Sequence, residues 1–201
     1  MTKKLIILGA TFAVLAPIVT HIINVDWVNS LPAGQAGSLT QAIFPIFGLL
    51  AFTLLWLHAV SGSFEEWLRE SFNFDTFVHW TATTILVSML LHVLLVLTLV
   101  KFNIPLLLSG GLPIWFGLIG LALLLTYDLG KALKKYDFFV RNWNAILIVS
   151  NIGFVLIFFH SLKLGSDLQS GLLRKLWIFY GVTAIASLIY TYGIKKLLRY
   201  S

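Results

Sequence analysis

The sequence predicts an all-α integral membrane protein, a bundle of six helices with both termini in the cytoplasm. Two observations predict this fold class. Of the 201 residues, 59% are hydrophobic and 11% are charged, whereas about 25% of the residues in a soluble domain are charged. Several apolar stretches also approach or exceed the roughly 20 residues that a helix needs to cross the hydrocarbon core.

Six membrane spans follow from these stretches, and together they predict one transmembrane domain over residues 1–201. The spans lie at about residues 4–25, 39–61, 75–100, 112–133, 143–162 and 175–197. They are predicted to be helices because long unbroken apolar runs replace the alternation of a barrel strand. Turn-forming residues separate them, at Pro32-Ala33-Gly34, Gly62-Ser63, Pro105 with Gly110-Gly111, and Gly165-Ser166.

Composition and motifs exclude several classes of function. The chain has no cysteine, so disulfides, iron–sulfur clusters and zinc–thiolate sites are excluded. Neither a P-loop nor a glycine-rich dinucleotide motif after a strand is present. The net charge of +6 comes from basic residues at helix ends rather than along one face, so we expect no nucleic-acid partner.

Lysine and arginine residues set the predicted orientation. The first span is expected to be retained, since its apolar run continues past Pro17 to Val25 and is too long for a signal peptide. Ten basic residues then lie on the cytoplasmic side: Lys3, Lys4, Arg69, Lys131, Lys134, Lys135, Arg141, Lys195, Lys196 and Arg199. Four lie outside: Lys101, Lys163, Arg174 and Lys175. The short chain and compact loops favour a multi-pass protein of a bacterial plasma (inner) membrane.

Tryptophans are expected in belts at the two membrane interfaces. The predicted outer belt consists of Trp27, Trp115 and Trp177, and the predicted inner belt of Trp67, Trp80 and Trp143.

Histidines are the candidate functional residues, because an ionisable side chain inside a membrane span is costly and typically functional. All five lie in or at the ends of spans: His21, His58, His79, His92 and His160. The third and fifth spans run in the same direction, so His92 and His160 both arrive near the outer surface. Two imidazoles from separate helices are the usual axial ligands of an electron-transferring heme b. His92 and His160 are therefore the predicted iron ligands.

A second heme has a less regular candidate pair. His79 lies thirteen residues before His92, about 20 Å along the helix axis and about 220° away around it. The fifth span offers no imidazole at the depth of His79, where Leu147 stands. His58 lies at that depth instead, so His58 and His79 form the candidate pair. The bland interpretation, that an intramembrane histidine only bridges two helices, is favoured for His21 and stays open for His58.

The ordered set of segments resembles the ferric reductase-like transmembrane domain superfamily, over about residues 43–195. That superfamily includes ferric reductases, NADPH oxidases and the heme-binding membrane subunit of the periplasmic methionine sulfoxide reductase system. The similar segments are 77–80 and 89–92 (FVHW and MLLH), 115–120 with 126–128 (WFGLIG and TYD), 136–141 (YDFFVR) and 158–165 (FFHSLKLG). The resemblance implies ligation of heme b by His92 and His160. The first histidine of the family's fifth span is missing, which leaves His58 as a substitute.

The resemblance also implies separate redox partners, because no flavin or nicotinamide domain follows the sixth span. Electrons would come from a cytoplasmic flavin reductase carrying FMN or FAD, or from membrane quinol. They would leave to an extracytoplasmic reductase, a flavoprotein or ferric iron. Arg141 on the inner side and Lys163 on the outer side are candidates to pair with heme propionates or an anionic flavin, although basic residues at these places are also ordinary topology anchors.

Two other classes of function stay open. A quinone-linked cytochrome b of the b561-like type would take its heme ligands from the first or second span. A non-redox small transporter or assembly protein would use its histidines only to bridge helices. Pro17 and Pro45 lie inside spans and are weak indications of the helix breaks that transporters show.

Overall fold

The computed structural model describes residues 2–25 and 36–195, and in this part of the chain it contains helices and no strand. The α-helices are α1 (Thr2–Asn24), α2 (Ala36–Ser63), α3 (Glu65–Ser71), α4 (Phe74–Leu99), α5 (Ile104–Leu108), α6 (Leu112–Ala132), α7 (Asp137–Arg141), α8 (Trp143–Leu164) and α9 (Gly171–Ile189). A 3₁₀ turn spans Ser166–Leu168, and a π-helical turn spans Tyr190–Ile194. The predicted all-α six-helix bundle is confirmed.

Six of these helices are long and apolar enough to cross a membrane: Lys3–Asn24, Leu39–Ser63, Phe74–Leu99, Leu112–Ala132, Trp143–Leu164 and Gly171–Ile194. The protein is therefore a multi-pass membrane protein. The sixth span begins at Gly171, four residues before the predicted start. It therefore includes Arg174, which donates from Nη1 to the Leu168 carbonyl at 2.8 Å. The predicted break at Pro32-Ala33-Gly34, Trp27, Lys196 and Arg199 lie outside the described residues.

The four central spans form two helical hairpins. Helix α2 packs along α4, and α6 packs along α8, while contact between α4 and α6 is sparse. The second hairpin is especially close because a Cβ built on Gly153 would lie 2.7 Å from the carbonyl oxygen of Gly120. Small residues allow this approach of helix backbones in membranes, where packing rather than exclusion of water drives association. Helix α9 packs on α2, and α1 packs on both of them.

An aromatic cluster joins the two hairpins to α9. The ring of Phe52 stacks on Trp177 with centroids 4.2 Å apart and on Phe154 with centroids 5.1 Å apart. Trp177 also donates from Nε1 to Ser161 Oγ at 2.7 Å. Trp177 is 1% exposed, so its predicted place in an interfacial belt is wrong. Its indole has found a hydrogen-bond acceptor inside the bundle, which removes the reason for it to stay at the interface.

The exposed tryptophans fit the belt prediction better. Trp67, Trp80 and Trp115 are all exposed on the surface of the bundle. Trp143 is partly buried beneath Lys134, whose Nζ lies 3.7 Å from the centroid of a Trp143 ring.

The bundle has two ends, which we name after residues that lie there. The Arg69 end carries α3, α7 and Lys195, which pairs with Glu66 at 3.0 Å. Arg69 itself donates to Asp75 at 2.8 Å and to Glu65 at 2.9 Å. These contacts, with the hydrogen bond to Asp75 as the largest cause, raise the pKa of Arg69 above its usual value. The Asp167 end carries the end of α1, the turn after α4 and the 3₁₀ turn.

Candidate functional site

The cleft between the two hairpins contains a cavity of about 370 Å³ toward the Asp167 end, which we call the His92–His160 cavity. His92 of α4 and His160 of α8 both line it, one from each hairpin. Most of its other lining residues are apolar. The two histidines that the sequence predicts as a pair therefore line a single cavity.

His92 is held by the first hairpin. Its Nδ1 lies 2.9 Å from the Phe44 carbonyl oxygen of α2, so this nitrogen carries the hydrogen and donates. The imidazole passes close to Gly48, where a Cβ would lie 3.0 Å from Nδ1. The ring of Phe44 lies beside it, with centroids 5.4 Å apart. Glycine one helical turn after the accepting carbonyl thus makes room for the imidazole.

His160 is held by the second hairpin in the same way. Its Nδ1 donates to the Pro113 carbonyl oxygen of α6 at 2.8 Å. A Cβ built on Gly117 would lie 2.5 Å from Nδ1, so this glycine is needed even more strictly than Gly48. The spacing from carbonyl to glycine is again four residues.

The hydrogen bonds fix which nitrogen of each ring remains available. A neutral imidazole that donates from Nδ1 has its lone pair on Nε2. Among the described residues no protein group hydrogen-bonds Nε2 of His92 or His160. Donation from the other ring nitrogen to a backbone carbonyl is also the arrangement that orients metal-bound histidines and raises their basicity. The site is chemically a pair of oriented Nε2 donors in an apolar cavity.

A second, smaller cavity of about 180 Å³ lies nearer the Arg69 end, and we call it the His58 cavity. His58 bonds through Nε2 to the hydroxyl of Thr81. The same hydroxyl donates to the Phe77 carbonyl at 2.7 Å, so His58 donates from Nε2. The other polar residues that line the His58 cavity are Tyr127, Asp128, Ser150, Asn151, Thr191 and Tyr192.

His79 does not join His58. Its side chain is exposed beside Trp80, with ring centroids 6.0 Å apart, and it lines neither cavity. The physical reason is the helical rotation of about 220° over thirteen residues: with His92 turned toward the cleft, His79 is turned away from it. The structure does not bring together the predicted pair for a second heme.

The two predicted basic site residues lie on the surface. Arg141 is the last residue of α7 and Lys163 is in the last turn of α8, and both are exposed. Neither lines the His92–His160 cavity. The structure thus puts them at opposite ends of the bundle, as predicted from their spans, and in contact with neither imidazole of the cavity.

His21 bridges helices, and its partner is a residue that the sequence analysis did not single out. Its Nδ1 pairs with a carboxylate oxygen of Asp167, and its Nε2 donates to the Ala42 carbonyl at 2.9 Å. His21 is 2% exposed, and Asp167 lines the His92–His160 cavity. The signal that was available is a carboxylate just after the fifth span, at the membrane depth where the first span carries a histidine.

No protein-family model, curated protein or solved structure matches this chain. Within residues 2–25 and 36–195, no group of three or more His, Asp or Glu side chains is arranged to bind a metal ion.

Proposed function

We propose that this protein is a heme b electron-transfer protein of the membrane, similar to short members of the ferric reductase-like transmembrane domain superfamily. The observation that carries the proposal is the pair of imidazoles, one from each hairpin, that line one largely apolar cavity, where no group of the described residues hydrogen-bonds either Nε2.

The donor set fits a porphyrin better than a bare metal ion. A porphyrin supplies four nitrogen ligands itself and needs two from the protein, and two imidazoles are available here. His92 and His160 would hold the iron. Gly48 and Gly117 have no Cβ that would collide with these imidazoles. A heme with two imidazole ligands supplies reversible one-electron transfer.

The residues of the chain prepare that site before any cofactor binds. The Phe44 and Pro113 carbonyls fix the tautomer of both imidazoles and limit their rotation. Most of the side chains that line the cavity are apolar, and burial in a low-dielectric surrounding is one of the features that set the potential of a bound iron. We propose one heme per chain, because His58 and His79 do not share a cavity.

The proposed direction of electron transfer follows from the charge distribution. The Arg69 end carries most of the basic residues of the connections and is proposed to be cytoplasmic. A flavin reductase or membrane quinol would then donate electrons at that end, near Arg141. The His92–His160 cavity would lie close to the extracytoplasmic side, near Lys163, where a reductase or flavoprotein would accept them. A bacterial plasma membrane is the proposed location.

The decisive experiment is a heme assay on the purified protein. We expect a Soret band and, by the pyridine hemochrome method, about one heme b per chain. Combined substitution His92→Ala and His160→Ala should abolish the band, whereas His79→Ala, a matched removal of an imidazole from the same helix as His92, should leave it unchanged. A protein expressed with heme supply that folds but has no Soret band, or a band that survives the double substitution, contradicts the proposal.

The b561-like alternative is less well supported. It would need iron ligands from the first two spans, yet both nitrogens of His21 contact oxygen acceptors and Nε2 of His58 is bonded to Thr81.

A further inference from the structure

The His58 cavity contains polar groups that the protein itself does not satisfy. Nδ2 of Asn151 is buried and has no hydrogen-bond partner among residues 2–25 and 36–195. No protein group within the described residues hydrogen-bonds the side chains of Tyr127 or Ser150, which line the same cavity. His58 has one further free position, since Nε2 donates to Thr81 and Nδ1 has no described partner.

Such a cluster is costly in lipid. An unpaired polar group in the hydrocarbon region costs several kcal/mol, because no water is there to replace the missing partner. The cavity therefore needs an occupant that both donates and accepts hydrogen bonds. Its volume of about 180 Å³ is well above the roughly 10–15 Å³ that one water molecule requires.

The lining of the His58 cavity changes from apolar to polar toward the Arg69 end of the bundle. Two apolar side chains, Leu55 and Met89, line both this cavity and the His92–His160 cavity. The titratable residues lie toward the Arg69 end, where Asp128 is one helical turn from Lys131 at the end of α6. The titratable groups that face the cavity are His58, Tyr127, Asp128 and Tyr192.

We propose that the His58 cavity is a water-filled inlet, which carries water and protons from the Arg69 end to His58 and stops at the layer of Leu55 and Met89. A hydronium ion in this inlet can transfer its proton to Nδ1 of His58, where an N–H bond forms and a water molecule is left behind. His58 keeps its hydrogen bond to Thr81 in both states. The inlet does not rest on the proposed heme, because its polar groups need water whether or not the other cavity is filled.

The cysteine-free sequence allows a direct test. A single cysteine at Ser150→Cys should react with a charged, membrane-impermeant methanethiosulfonate reagent that is added at the Arg69 end of the reconstituted protein. The matched control is Ser88→Cys, because Ser88 is 3% exposed and lines neither cavity. We expect modification of Ser150→Cys to be about tenfold faster or more, since thiol reactivity follows access to water, and addition at the Asp167 end to have little effect.

A second experiment measures the access of water to His58 in the chain without substitutions. Exchange of the C2 hydrogen of each imidazole in heavy water, followed by mass spectrometry, should be faster at His58 than at His21, which is 2% exposed. Equal slow exchange at both residues would overturn the inlet. So would a Ser150→Cys thiol that reacts only with a lipophilic maleimide, because the occupant would then be a lipid-soluble molecule. Both measurements are repeated in the His92→Ala, His160→Ala protein, where loss of heme alone should change neither result.

Discussion

The two cavities of the bundle use the same side chain for different purposes. In the His92–His160 cavity, each imidazole donates from Nδ1 to a backbone carbonyl, and its Nε2 has no hydrogen-bond partner in the part of the chain that the structure describes. In the His58 cavity, a single imidazole has Nε2 bonded to Thr81 and is surrounded by polar side chains. The chemistry of an intramembrane histidine is thus decided by which ring nitrogen its neighbours bond and by whether the side chains around it are apolar or polar.

The largest effect that should distinguish the two cavities is the loss of heme when one imidazole is removed. We expect His160→Ala to remove heme almost completely, by more than the 10–100-fold loss of affinity that is typical when an outer-sphere partner of a metal ligand is removed. The ratio of Soret to protein absorbance after purification measures the effect. His58→Ala is the matched substitution in the other cavity and should retain the full ratio; an equal loss in both variants would show that the two cavities do not differ in this way.

The glycines next to the two imidazoles allow a finer test within the larger cavity. A Cβ would lie 2.5 Å from Nδ1 of His160 at Gly117 and 3.0 Å from Nδ1 of His92 at Gly48. We therefore expect Gly117→Ala to weaken heme binding about tenfold and Gly48→Ala about two- to threefold, because a displaced ligand costs binding much as a lost outer-sphere partner does. Heme titration of the apoprotein gives both affinities. The reverse order would mean that the backbone of α6 yields more easily than that of α2.

The substitution Thr81→Val tests whether the hydrogen bond to Thr81 alone keeps His58 from binding a heme. The substitution removes the acceptor of the Nε2–H bond and should lower the free energy of unfolding by about 1–3 kcal/mol, measured by thermal unfolding in detergent. It should not add a second heme, because His79 is exposed outside the cavity. A heme-to-protein ratio that rises toward two would contradict the distinction between the cavities.

His79→Ala should have the smallest effect. The side chain is exposed and touches Trp80, so we expect the heme ratio to stay unchanged and unfolding to shift by no more than about 0.5 kcal/mol. Loss of heme in this variant would mean that α4 is rotated relative to the structure described here.

Hydropathy predicted the six spans well, because a span depends only on residue type and on position along the helix. Depth alone placed His92 and His160 at one level, and the structure brings them to one cavity. Rotation about the helix axis was harder to predict, since it depends on which neighbours pack on which face. For this reason the rotation of about 220° between His79 and His92 did not show which of the two faces the cleft. The buried position of Trp177 was not predicted. The His21–Asp167 pair was missed because its members are 146 residues apart.

That separation has a consequence for biosynthesis. At a synthesis rate of about 5–20 residues per second, Asp167 emerges from the ribosome roughly 7–30 s after His21. Until then, one ring nitrogen of His21 lacks the partner that it has in the finished protein, because the carboxylate that contacts its Nδ1 has not yet been made. The contacts that hold the first helix in the bundle are therefore complete only after the turn that follows the fifth span has been synthesised.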